Sequence, residues 1–417
     1  MSMWIKQPQW LQWLLLATLL CLVGCGGGGG ASSSQALPEV VLPPVSGKNA
    51  QLLVVDSGPA ELNVPVVNVP YTSVRVCEPG TSTCQIIDHV IVDTGSTGLR
   101  LLASSISLSL PKVSTANGTL YNCAQFLDQT YMWGTVRSAD LYLGGANLDG
   151  QRAANLPVQV VDAADAASAP RVCAPTGFAA KNTLNALGAR GILGIGHYQQ
   201  DCGVGCTFNA ANGYYYTRST SGRVDGTAVP LSAQLQQPIS MFAVDNNGAV
   251  ISLPAVSVSG ASRAQGNLVF GIGTQSNNQP GTVSILTFNS SGYFSTLFHD
   301  RTMSQGFVDS GSNALFFGTS SYPSCGGDKS WYCPPDALTL QAVNTGANGQ
   351  SSTVNFSIAN ATGLLSQASV VAVGNLAGPV GDSVSFDFGL PFFYGRQVFT
   401  AIRGSATPLG VGPYVAY

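Results

Sequence analysis

Two short segments carry acids, hydroxyls and glycines at a spacing that can do chemistry: Asp93-Thr94-Gly95-Ser96 and Asp309-Ser310-Gly311-Ser312. Each follows an apolar pair that ends in valine (Ile91-Val92 and Phe307-Val308), which anchors the loop in a core. A glycine two residues after each aspartate suits a tight turn at positive φ that a Cβ would obstruct. The hydroxyls of Thr94, Ser96, Ser310 and Ser312 can fix the carboxylates and tie the two loops together. Like charges held close cannot both ionise cheaply, so such a pair titrates as a unit with one pKa raised. A half-protonated pair can deprotonate water on one side and protonate a carbonyl oxygen on the other. That is hydrolysis without a metal or other cofactor, and none is expected.

The elements that must position these loops are strands. Short Val/Ile/Leu/Phe runs separated by Gly, Asn, Pro and Ser recur along the chain, and long amphipathic helical patterns are rare, so the fold class is all-β. The runs 72–77 and 84–92 flank a Pro79-Gly80 turn and feed Asp93. A glycine-edged apolar segment follows each motif: GILGIG at 191–196 and FDFGLPFFYGRQVF at 386–399. From 93 to 309 the motif recurs after 216 residues, a separation suited to one copy per lobe. The expected organisation is a leader at 1–24, a linker at 25–50, an N-terminal β lobe at 51–230 and a C-terminal β lobe at 231–417.

The motifs and their glycine-edged partners resemble those of the pepsin-like aspartic peptidases. IVDTGSTGLRLL at 91–102 and FVDSGSNALFF at 307–317 match the hydrophobic-hydrophobic-Asp-Thr/Ser-Gly-Ser pattern, one per lobe. The resemblance implies a bilobal architecture with a cleft between two β lobes and Asp93 and Asp309 as the catalytic pair. It also implies Ser96 and Ser312 on their outer oxygens, and an extended peptide or envelope protein as substrate. The implied activity is aspartic endopeptidase; the alternative is a non-catalytic envelope protein that binds peptide or glycan on the same scaffold. Departures are Asn313 and Ala314 after the second motif and Arg100 after the first. Arg100 can meet a substrate carboxylate or a wall acid such as Asp88, and would depress the pKa values of the pair. For the hairpin that closes the cleft, Tyr131 and Trp133-Gly134 are both candidates, and an aromatic pair that merely packs the hairpin is the alternative. The segments NVPYTSVRVC, VDTGSTGLR and LPFFYGR further resemble a bacterial lipoprotein family of unknown function.

The leader supports the same placement. Lys6 precedes an apolar run from Leu11 to Val23, and Leu22-Val23-Gly24-Cys25 resembles a lipobox, with lipid (palmitate among its chains) expected on Cys25. The run is shorter than a membrane-spanning helix and ends in five glycines, Gly26 to Gly30. Gly26 resembles the pattern that sends such proteins to the outer membrane of diderm bacteria, so a cell-envelope, lipid-anchored monomer is expected. Residues 26–50 form a Gly/Ser and then Pro-rich spacer. Apart from Cys21 in the leader and Cys25, eight cysteines remain: Cys77, Cys84, Cys123, Cys173, Cys202, Cys206, Cys325 and Cys333, an even set suited to disulfides. Local pairs 77–84, 202–206 and 325–333 leave 123–173 by elimination. Cys202 and Cys206 lie near His197, but no second cysteine pair completes a zinc site. Only 9% of residues are charged and the net charge is -3, with no basic patch, so no nucleic-acid partner is expected.

Overall fold

In a computed structural model, residues 37–417 apart from 328 and 368 are described. Cys25 and the leader lie outside the described residues. The chain is mostly β. Among the described residues, eighteen strands join in one large mixed sheet and seven in a second. Helices are short, and none of those described is long and apolar enough to cross a membrane.

The strands that position the two motifs are, in chain order, β1 (Ala50–Val55), β2 (Pro70–Cys77), β3 (Cys84–Asp93), β4 (Thr97–Leu102), β5 (Gly118–Gln125), β6 (Thr130–Leu143), β7 (Gln151–Val161), β8 (Gly191–Ile195), β9 (Tyr215–Arg218), β10 (Arg263–Phe270), β11 (Arg301–Val308), β12 (Leu315–Phe317) and β13 (Ser385–Phe388). β1 pairs with both β2 and β10, so early and late parts of the chain share the large sheet. β2 and β3 form the hairpin that feeds Asp93, with Cys77 opposite Cys84 and a disulfide between them. Bridges also join Cys123 to Cys173, Cys202 to Cys206 and Cys325 to Cys333.

The same local construction occurs twice. β8 lies parallel to β3 and antiparallel to β4, with Leu193 beside Val92 and Gly194 beside Asp93. β13 lies parallel to β11 and antiparallel to β12, with Phe388 beside Val308. In each copy the acid-bearing loop joins two strands that are held apart by a third inserted between them. A strand buried on both faces reads as a continuous apolar run, which is why GILGI and FDF are so rich in large or β-branched residues.

The main hydrophobic cluster includes Val92, Leu99 and Leu193 from the large sheet and Val308, Leu315 and Phe388 from the seven-stranded sheet. It therefore lies under both loops. In the smaller sheet Phe386 stacks on Phe317 at 4.9 Å and on Phe388 at 4.2 Å. These rings are fully buried and supply much of the local packing. We predict that Phe386→Ala costs about 3–5 kcal/mol in urea unfolding. An unchanged unfolding midpoint would contradict this role for the ring stack.

Candidate functional site

β3 ends at Asp93 and β11 ends at Val308, one residue before Asp309, so the two acids enter from different sheets. Each carboxylate is held by its own loop. The Gly95 N–H donates to Asp93 Oδ1 at 2.8 Å, and the Gly311 N–H donates to Asp309 Oδ1 at 2.8 Å. Ser96 Oγ donates to Asp93 Oδ2, and Ser312 Oγ lies 2.9 Å from Asp309 Oδ2. The motif serines and glycines thus meet the same oxygens in both copies.

Thr94 and Ser310 cross over between the loops. The Ser310 N–H donates to Thr94 Oγ1 at 2.9 Å, and the Thr94 N–H donates to Ser310 Oγ at 3.1 Å. Each hydroxyl then donates to the opposite strand: Thr94 Oγ1 to the Val308 carbonyl at 3.2 Å, and Ser310 Oγ to the Val92 carbonyl at 2.7 Å. Each hydroxyl is both donor and acceptor, so the exchange gives both of these backbone N–H groups a partner at the loop tips.

The exchange brings the carboxyls together. A Cβ built on Gly95 would lie 2.6 Å from Asp309 Oδ1, and one on Gly311 would lie 2.7 Å from Asp93 Oδ1. Neither glycine has a positive φ. The expected turn conformation is therefore corrected: glycine is required here because the opposite acid occupies the space of a side chain. Asp93 and Asp309 are both completely buried, at 0% exposure. Burial, and then the neighbouring charges of Asp93 and Asp387, hold the Asp309 carboxyl well above the ordinary carboxylate range.

Arg100 does not face this pair. It is 3% exposed; its Nη1 donates to the Thr97 carbonyl at 2.7 Å and its Nη2 lies 3.7 Å from Asp201 Oδ2. Asp201 also accepts from Asn122 at 2.9 Å and from the Tyr215 hydroxyl at 2.5 Å. The expected partner Asp88 is bound instead by Arg190 at 2.8 Å. The charge of Arg100 bears on Asp201, whose carboxyl burial nonetheless pushes up, and Arg100 is not among the groups that act on the Asp309 carboxyl. Arg100 therefore ties the strand after the first motif to a distant loop.

Tyr131 and Trp133 lie on β6 of the β5–β6 hairpin. Trp133 is buried, stacked on Tyr121 at 5.0 Å and edge-on to Tyr216 at 5.3 Å, with its Nε1 donating to Ser168. Tyr131 belongs to the same cluster. β9 pairs with the outer edge of β5, β7 with β6, and the Cys123–Cys173 bridge pins the hairpin. These contacts give both aromatics a packing role.

Two site residues escape sequence reasoning. Asn68 is fully buried; its Nδ2 donates to the carbonyls of Asn313 at 2.8 Å and Val373 at 2.9 Å. Its Oδ1 accepts from the Val373 N–H at 2.7 Å and the Tyr394 hydroxyl at 2.8 Å. It thereby holds the residue that follows the second motif, and its one signal is its place at the head of the NVPY segment. The second is Asp387, whose Oδ2 lies 2.6 Å from Ser312 Oγ. Among the described residues no group of His, Cys, Asp and Glu has the arrangement of a metal site.

The family model described as "Protein of unknown function (DUF3443)" matches residues 45–417. The chain belongs to this family. The matched span contains both motifs, Asn68, Arg100 and Asp387, while Cys25 precedes it. No curated protein matches the chain in sequence. Among solved structures, basic 7S globulin from soybean aligns with a TM-score of 0.44 and 11% identity, covering 88% of this chain and 95% of that one.

Replacing Gly95 or Gly311 with Ala forces a methyl group onto the opposite carboxyl. Each variant is expected to lose about 1–3 kcal/mol of unfolding free energy through overpacking. Wild-type stability in both variants would contradict the close approach of the loops.

Proposed function

We propose that this member of the family is a lipid-anchored envelope protein, a monomer with two β lobes on an aspartic-peptidase-like scaffold, that holds an extended peptide or glycan without cutting it. One observation carries the non-catalytic reading: both carboxylates are sealed from solvent. Hydrolysis between two acids needs a water and a substrate carbonyl in contact with both, and a fully buried pair offers neither. The crossed Thr94 and Ser310 hydroxyls then hold the two loops together. The braced β5–β6 hairpin supports the non-catalytic reading, because a hairpin fixed on both edges is poorly suited to opening and closing over a substrate.

Aspartic endopeptidase is the second reading, and the intact motif geometry favours it. Each acid keeps its glycine N–H and its serine hydroxyl, and the loops keep their crossed hydroxyl exchange. The spacer and Cys25 support an envelope location, with the outer membrane of a diderm bacterium as the proposed site and any ligand extracytoplasmic.

The deciding assay incubates the purified body with a peptide library from about pH 3 to 7, with and without a pepstatin-type inhibitor. Retention of peptides or glycans with no cleavage is the expected result. Inhibitor-sensitive cleavage that disappears in D93N and D309N would overturn the non-catalytic reading. For the anchor, C25S is expected to move the protein from the membrane fraction to the soluble fraction and to abolish incorporation of labelled palmitate. Undiminished palmitate incorporation in C25S would contradict lipid attachment at Cys25.

A further inference from the structure

One inserted-strand position is apolar in the first copy of the motif and acidic in the second. In the first, Leu193 lies beside Val92, and the preceding residue, Ile192, is buried among apolar neighbours. In the second, Phe388 lies beside Val308, and the residue in the place of Ile192 is Asp387. Its register partners on the flanking strands are Phe307 and Phe316. An acid thus stands fully buried in an aromatic setting where the other copy has an isoleucine.

The Ser312 hydroxyl makes this acid part of the pair. Ser312 Oγ lies 2.9 Å from Asp309 Oδ2 and 2.6 Å from Asp387 Oδ2. A serine hydroxyl has a single hydrogen to donate. If both carboxyls were ionised, one of these two short contacts would have no proton between its oxygens. A proton on either acid removes the conflict, and the surroundings decide which. Asp309 Oδ1 accepts the Gly311 N–H, whereas Asp387 Oδ1 is buried with no hydrogen-bond partner among the described residues. A charge on Asp387 would be the less compensated of the two, and an unpaired buried charge is costly.

We propose that Asp387 is a neutral carboxylic acid that donates to Ser312 Oγ, so that the Ser312 hydrogen points at Asp309. Asp387 then acts as a positioning residue: it fixes the orientation of the serine and the proton balance of the Asp93–Asp309 pair. The role holds whether the cleft cuts its ligand or only binds it. Among the described residues, the titratable groups acting on Asp387 are carboxyls: Asp93, and Asp309 through Ser312. Burial is the main cause that raises the Asp387 carboxyl well above its ordinary value of 3.8; the charge of Asp93 adds to it and Ser312 opposes it.

This has a sign in pH. A carboxyl that stays protonated in the folded state while its unfolded counterpart ionises makes stability fall as pH rises above the ordinary carboxylate range. The Asp387→Asn variant would lack that dependence, since an amide also donates to Ser312 but does not titrate. The test is the melting temperature of wild type, D387N and D387L from about pH 5 to 8, with the number of protonated aspartates read by carbon NMR on carboxyl-labelled protein at about pH 7. The expected result is a smaller decline of Tm with pH for D387N than for wild type, and a loss at every pH for D387L. In the spectrum, one protonated aspartate signal of wild type disappears in D387N. Parallel Tm curves for wild type and D387N would overturn the proposal. Should D387N fail to fold, the wild-type spectrum alone decides: a protonated signal beyond that of the Asp93–Asp309 pair supports the proposal, and its absence overturns it.

Discussion

Everything at this site depends on the reciprocal hydrogen bonds between Thr94 and Ser310. Two loops from different sheets, each carrying a buried acid, would repel one another if brought together by apolar packing alone. The crossed hydroxyls give each loop tip a partner in the other and extend the contact to the Val308 and Val92 carbonyls. They fix the separation at which the carboxyls meet, which in turn excludes any Cβ at Gly95 and Gly311. The need for glycine at both positions follows from that separation, and the like charge of Asp93 adds to the burial that raises the Asp309 carboxyl.

The supports behind the loops are not alike. On the first side, Arg100 joins the Thr97 carbonyl to Asp201, and Asp201 in turn holds Asn122 and Tyr215. On the second, Asn68 reaches from the other end of the chain to the Asn313 carbonyl, and Asp387 sits beneath Ser312. An arginine network braces one loop and an amide with a buried acid braces the other. The approximate repeat in the backbone therefore carries an asymmetric electrostatic surrounding, and the raised carboxyls for which burial and like charge are the causes lie on the second side.

What is legible in the sequence is what is local or repeated. The two Asp-Thr/Ser-Gly-Ser motifs, their apolar lead-ins and the glycine-edged strands that follow are contiguous patterns, and they mark the elements that meet. The β-rich composition and an even set of cysteines belong to the same class of signal. The reason for the glycines is not legible, because a turn is a local explanation, whereas the group that occupies the space belongs to the other motif: Asp309 for Gly95 and Asp93 for Gly311. Arg100 and Trp133 suggest a cleft-facing role in sequence because an unusual residue near a motif points to contact with a ligand. Their partners Asp201, Tyr121 and Tyr216 are set by tertiary packing. Asp387 is hidden inside Phe-Asp-Phe-Gly, where the aromatics announce a buried strand and the acid looks like an ordinary alternation.

The central claim, that the crossed hydroxyls couple the two loops, is tested most directly by a double-mutant cycle on Thr94→Val and Ser310→Ala. Unfolding free energies of wild type, both single variants and the double variant give the coupling between the two positions. The account predicts an interaction energy of about 1–3 kcal/mol, with the double variant losing less than the sum of the singles. Strictly additive losses would contradict it, because the two loops would then be held together by something other than this exchange.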